Sequence, residues 1–451
     1  MLTIFTSPQF LPEKQYVFDV LLGESLGIPF RVETSDEPDY RLVLPNGKCV
    51  TLRDGFFSKI TGDSYLSSAN ISANVPTVEH PFEPTEKLTV IYGEPVLYFR
   101  DDEIITRLDL FASAFFMLTR WEERVLPDRD RHGRFPASAS LSVKYNFLER
   151  PIVDEYAALL WQLLVRMGWP GERKKHKFRL QPSHDVDYPK LWWRPADRLR
   201  TLAASIFRRG DWHEAGYFLR HKFSAENDPF DTFDLLMDLS ERNGLRSQFN
   251  FMGERPPGSD AFYPLRHPFV QDLMQKIARR GHEIGFHPSY ESADDGRRTA
   301  GRSPMFGQEL ASLRAVSPLS IVSGRQHFLR FSVPETWQTW ADAGLQTDGT
   351  LGYPEAEGFR CGTCRDFPVF NILTRQKLPL REQPLVAMDV TLAQYRKYTP
   401  ETALEKLRQL AAEVRKHDGT FTLLWHNSSW NTYFWRPFQA AYETFLHENR
   451  T

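Results

Sequence analysis

From residue 178 onward the chain alternates short apolar segments with amphipathic helical ones, and that rhythm constrains its fold more than any other feature of the 451 residues. Residues 178–181, 247–252 and 283–286 read as strands, and 319–323 and 420–425 repeat the pattern later. Between them, 232–243 and 267–280 carry helical periodicity and close at Gly244 and Gly281. A helix between two strands lets the strands run parallel, so such units build a parallel barrel or an open parallel sheet. In both, chemistry gathers beyond the C-terminal ends of the strands. Asp185, Asp187, His287 and His426 all occupy that kind of position.

The first third reads differently. Strands are expected at 2–5 and 28–32, with a helix at 16–26 ended by Gly27. Residues 40–44 and 49–52 flank Asn46-Gly47, a strong hairpin signal. Further strands fall at 88–92 and 96–99, and 109–124 turns helical, with Phe111, Phe115, Phe116 and Leu118 near one face. We expect a smaller mixed α/β domain over 1–150, without assignable chemistry and with a structural role. A linking helix follows over 151–176, and the unit of alternating strands and helices spans 177–451. An insertion at 188–227, carrying Trp192-Trp193-Arg194, has the length and place of a lid.

Hydrophobic residues at 41% and charged residues at 25% are ordinary for a globular protein, and a net charge of −2 gives no sign of a nucleic-acid footprint. The basic run at 173–177 reads as a solvated face. No apolar stretch approaches the roughly 18 to 20 residues of a membrane helix, and no basic, then apolar, leader opens the chain. Three cysteines exclude a disulfide framework, and Cys361-Gly362-Thr363-Cys364 reads as a pair of free thiols. The cytoplasm is the expected compartment, and a homo-oligomer stays open. Aromatic residues at 14%, with 11 Trp, suit a filled core or a surface that stacks on sugar rings.

Four motifs carry the chemistry. Ser183-His184-Asp185-Val186-Asp187 puts two carboxylates two residues apart, on one side of an extended chain. One can bind a divalent metal while the other takes a proton; a turn with Asx caps before Pro189 is the competing reading. Gly281 to Ser289, Gly-His-Glu-Ile-Gly-Phe-His-Pro-Ser, ends a strand in His287 and so offers an imidazole to a metal. In Gly324-Arg325-Gln326-His327-Phe328-Leu329-Arg330, Arg325 can hold a catalytic carboxylate ionised, and His327 can complete a metal shell or touch substrate. Leu424-Trp425-His426 places a His where it can protonate a leaving amine, or merely cap a strand. Trp192, Trp193, Arg330, Arg360 and Trp425 are candidates for contact with substrate.

In this order the motifs resemble those of the polysaccharide deacetylase (NodB-like, carbohydrate esterase 4) family. Asp185-Val186-Asp187 is similar to the variant of its first motif with a residue between the acids, and Gly281 to His287 to its second. Arg325 matches its motif-three arginine, and Leu424-Trp425-His426 its Leu-x-His motif. The resemblance runs from Phe178 to the C-terminus; the N-terminal part resembles only an uncharacterised domain that precedes some bacterial members. It implies a distorted (β/α) barrel of about seven strands and metal-dependent, zinc-type hydrolysis of N-acetyl groups on a carbohydrate. It also implies Asp185 as general base, Asp187 and His287 as metal ligands, and His426 as general acid. The family's second motif has a further His four residues on, where this chain has Glu291. Glu291 or His327 can replace that ligand, and His327 is the one we expect. Rival readings are an amidase for another C–N bond and a glycan-binding protein with a decayed site.

Overall fold

The computed structural model describes residues 1–83, 85–207, 210–255, 261–293 and 304–450. Strands β1 (Leu2–Thr6), β2 (Phe30–Thr34), β3 (Tyr40–Val43) and β4 (Cys49–Leu52) lie where the sequence places them, within two residues. Gly47, at φ 84°, supplies the left-handed turn of the β3–β4 hairpin. Strands β5 (Thr77–Glu79) and β6 (Lys87–Thr89) pair apart, while β7 (Gly93–Phe99) and β8 (Glu103–Leu108) complete a six-stranded sheet in the order β2-β1-β3-β4-β8-β7.

The two long N-terminal helices are each altered. The first is an α-helix over Leu11–Phe18 that widens into π turns over Asp19–Leu26 and ends at Gly27. The second breaks into Leu110–Leu118, capped by Asp109, and Trp121–Val125. Arg120 sits between them at φ 51°, fully buried, and donates to Glu122, Glu123, the Arg360 carbonyl and the Tyr353 hydroxyl. That buried network, which a continuous helix does not reach, accounts for the break.

The second half builds on β9 (Arg179–Val186), which pairs in parallel with β10 (Gln248–Phe251) and, on its other side, with a late strand at Thr420–Leu424. Outward from β10 follow β11 (Glu283–Phe286), β12 (Ser323–Gly324) and β13 (Thr347–Asp348). Beyond them, β14 (Phe367–Asn371) runs antiparallel to β15 (Gln376–Glu382) at the edge. Strand β16 (Ala387–Met388) pairs with the late strand, β17 (Thr420–Leu424), giving nine strands in the order β14-β15-β13-β12-β11-β10-β9-β17-β16. The result is a mixed α/β fold. Among the described residues no ladder joins the two outermost strands. The strand expected at 319–323 shrinks to two residues, because Ser317 and Leu319 bond to each other in a turn.

The halves share one hydrophobic core. Tyr16 packs its ring on Phe115 and Phe370 and donates its hydroxyl to the Pro368 carbonyl at 2.8 Å. Buried Phe115 and Phe370 each contribute roughly 1.5–3 kcal/mol, and beside them Arg375 forks onto the buried Glu13 carboxylate. The insertion forms helices over Pro195–Phe207 and Trp212–Arg220, and residues 208 and 209 within it lie outside the described residues, as does residue 451 at the chain end. No helix of the described residues is long and apolar enough to cross a membrane.

Candidate metal centre

Alternation along β9 sorts its side chains. Ser183 and Asp185 face the site, whereas His184 turns the other way and is engaged by the Trp425 carbonyl and Ser247. Burial pulls the His184 pKa down to about 4, so it stays neutral packing. Asp185 Oδ1 accepts from Arg325 Nη1 at 3.0 Å and from Asn250 Nδ2 at 2.7 Å. The same Arg325 donates Nε to the Gly349 carbonyl at 2.8 Å, which fixes the guanidinium. Asn250 is oriented in turn by Gln248, whose amide donates to its Oδ1 at 2.6 Å. Space for this comes from Gly285, where a Cβ would lie 2.0 Å from Asn250 Oδ1. Gly324 likewise permits close strand approach, since a Cβ there would meet the Phe286 carbonyl at 1.9 Å.

Asp187, His287 and His327 bring one ligand atom each within 4.8 Å of one another. Asp187 Oδ1 lies 3.2 Å from His287 Nε2 and 3.5 Å from His327 Nε2. It is nevertheless a buried oxygen without a well-formed hydrogen bond. His287 Nδ1 donates to the Arg325 carbonyl at 2.6 Å, which leaves the Nε2 lone pair of the neutral ring facing Asp187. Acceptors gathered around one point, with a carboxylate oxygen left unsatisfied, fit a divalent cation with one carboxylate and two imidazole ligands.

His426 stands across the cavity, its Nε2 3.8 Å from Asp187 Oδ2. Its Nδ1 meets Asp389 Oδ1 at 2.8 Å. Burial works against charging this imidazole, but Asp389 first, then Asp187 and Asp185, raise its pKa to about 10. Burial likewise pushes the two aspartates up, and is outweighed. Arg325, His287 and His426 hold Asp185 below the ordinary carboxylate value, and His327, His287 and His426 hold Asp187 far below it. For His287, desolvation is overcome by Asp185 and Asp187, which raise its pKa.

Asp185, Asp187, His287, His327 and His426 line a cavity of about 160 Å³ with an apolar side formed by Leu329, Met388, Val390 and Leu424. Arg134, from the N-terminal half, also lines it. The geometry thus brings together Asp185, Asp187, His287, Arg325, His327 and His426. Glu291 stays out, half-exposed and 3.9 Å from Arg255.

The five expected substrate contacts are not found at this cavity, and each is engaged elsewhere. Trp192 is fully buried in a separate cluster with Tyr217, Phe218 and Phe223. Trp193 packs edge-on against His267 and Phe269. Arg360 forks onto Glu123 at 2.9 and 2.6 Å, and Arg330 stacks over Tyr290 while donating to the His132 carbonyl. Trp425 points away from the site and donates to the Ser429 carbonyl. Cys361 and Cys364 are buried free thiols, and burial pushes both pKa values up, away from nucleophilic use.

Sequence reasoning missed Asp389, Asn250 and Arg134. Asp389 follows the apolar triplet Val386-Ala387-Met388, a signal for a strand end that two ladder residues make faint. Asn250 was legible as a polar residue between two aromatic ones, Phe249 and Phe251, in a strand.

Comparison with known proteins places the chain beside one family model and several solved structures. Residues 2–168 match the model of a family of unknown function, DUF7033. No curated protein matches the chain. Among solved structures, a presumed polysaccharide deacetylase from Mycobacterium smegmatis is similar at 17% identity and a TM-score of 0.39, over 62% of this chain and 85% of that one.

Proposed function

We propose that the protein is a metal-dependent hydrolase that removes an N-acetyl group from an amino sugar or a glycan precursor. The observation that carries this reading is the meeting of Asp187, His287 and His327 at a cavity that also holds Asp185 and His426. These three residues would hold a divalent ion, zinc by the nature of the donor set, and the ion would supply Lewis-acid polarisation of the amide carbonyl.

The protein's own groups divide the remaining work. Asp185 is the base that accepts the proton of the attacking water. Arg325 and Asn250 both bond to its Oδ1, which leaves Oδ2, 3.9 Å from His287 Nε2, facing the cavity. The charges of Arg325 and the histidines keep it ionised at neutral pH. His426 is the acid. With Nδ1 on Asp389, its proton at Nε2 is presented towards the centre for the departing nitrogen. The apolar side at Leu329, Met388, Val390 and Leu424 accommodates a methyl group and limits water.

The same reading treats residues 1–150 as an accessory domain, 151–176 as its link and 177–451 as a distorted barrel. Its support is the stretch 376–388, which contributes β15 beside β13 and then β16 beside β17, so that one segment touches both flanks of the parallel row. Acetate release from a panel of N-acetylhexosamine compounds, lost in Asp185→Ala, is the expected result. Opening of a cyclic imide or formamide instead would assign another C–N bond. Saturable sugar binding with no turnover would make the protein a glycan binder.

A further inference from the structure

His327 sits on neither a strand nor an α-helix. It opens a tight turn in which Phe328 and Leu329 stand at φ 60° and 52°, two consecutive side-chain-bearing residues in the left-handed region. L-residues visit that region rarely, and two in a row persist only when neighbouring structure holds them. Part of the hold is local. Leu329 N donates to the Gln326 carbonyl at 3.0 Å, and the Leu329 side chain packs with Leu385, Met388 and Leu424.

The rest comes from the other half of the chain. Residues 130–134 form a small loop closed by Asp130 N to Arg134 O at 2.8 Å, with Gly133 at φ 72°. Asp130 Oδ1 accepts the backbone N–H of His132 and of Arg134, and its Oδ2 accepts Arg134 Nε at 2.8 Å. So fixed, and 5% exposed, Arg134 donates Nη1 to the Phe328 carbonyl at 2.9 Å. His132 lies 5.1 Å from the Phe328 ring, and its Nδ1 is 3.1 Å from the Tyr290 hydroxyl. Arg330, just past the turn, returns Nε to the His132 carbonyl at 2.9 Å. The loop therefore grips the turn at Phe328 and again at Arg330.

We infer that this N-terminal loop is a positioning element for the metal site. Arg134 holds the Phe328 carbonyl, and through that turn it sets the His327 imidazole against Asp187 and His287. The inference rests on the metal-site reading above. It gives the segment that matches a family of unknown function a part in assembling the chemistry of the other half. Residues that orient a ligand without touching the metal typically change its affinity about 10- to 100-fold.

The test is zinc titration of the chelator-stripped full chain by calorimetry, with the visible spectrum of the cobalt-loaded protein as a second readout. Arg134→Gln is expected to weaken zinc about 10- to 100-fold and to change the cobalt spectrum of the folded protein. Because Arg134 acts through His327, the double variant with His327→Ala is expected to bind no more weakly than His327→Ala alone. Asp130→Asn, which frees Arg134 without touching the turn, is expected to shift affinity in the same direction by less, and it decides the matter if Arg134→Gln does not fold. Wild-type affinity in the decisive variant, or a loss that adds in full to that of His327→Ala, overturns the inference. Asp187→Ala separates the two levels: if it too binds zinc like the wild type, the metal reading itself fails.

Discussion

Asp389 grips His426 twice, taking its backbone N–H on Oδ2 at 2.8 Å and its imidazole Nδ1 on Oδ1 at 2.8 Å. Both bonds come from a carboxylate with no exposed surface, at the end of the two-residue strand Ala387–Met388. Asp389 thereby sets the ring orientation and tautomer of His426 and is the largest of the charges that raise its pKa.

Replacing that carboxylate isolates its effect on proton transfer. Asp389→Asn keeps the shape but removes the largest of the charges that raise the His426 pKa. Turnover on an N-acetylated sugar is expected to fall about 10²- to 10⁴-fold, the usual worth of a general acid, with zinc affinity nearly unchanged. Steady-state kinetics beside calorimetry checks both.

The metal-free protein has a stability profile of defined sign. The His426 pKa stands at about 10 in the folded chain against an ordinary 6.5, so the folded state holds this proton more tightly. Its contribution is fully present below about pH 6.5 and is lost as pH rises towards 10. His287, also raised, acts in the same direction. Thermal melts of stripped protein are expected to show a midpoint falling from neutral to alkaline pH, with a shallower fall in His426→Gln.

Glu123 is buried between Arg120 and Arg360. Glu123→Ala leaves two guanidinium groups without their shared carboxylate, and breaking a buried pair in this way typically costs about 3–5 kcal/mol. Urea unfolding is expected to show a loss of that order. Zinc affinity of the folded fraction should survive, since Glu123 does not touch the ligand cluster.

Trp192 provides the opposite control. Its ring packs against Phe218 inside the insertion, 5.2 Å between centroids, away from the cavity. Trp192→Phe is expected to lower stability and leave KM and kcat unchanged. A raised KM would restore this residue to the substrate cleft.

Much of this site could be read from spacing, because motif residues after parallel strands must face one end of a sheet. Asp185, Asp187, His287 and His426 follow that logic, and they meet. His327 was harder, since it follows a strand of two residues and enters the cluster through a left-handed turn that periodicity does not encode. The helix break at Arg120 escaped for a related reason: it answers to Tyr353 and Arg360, more than 230 positions away. Aromatic residues misled most. Trp192 and Trp193 stand next to the first motif in sequence, yet apolar burial drew them into the core of the insertion and against Phe269.

The account turns on whether Asp187, His287 and His327 hold a metal ion together. Calorimetric titration of chelator-stripped full-length protein with zinc, repeated on Asp187→Ala, tests this most directly. The account predicts uptake of a single ion per chain in the wild type and its loss in the variant. No uptake by the wild type, or undiminished uptake by Asp187→Ala, would contradict it.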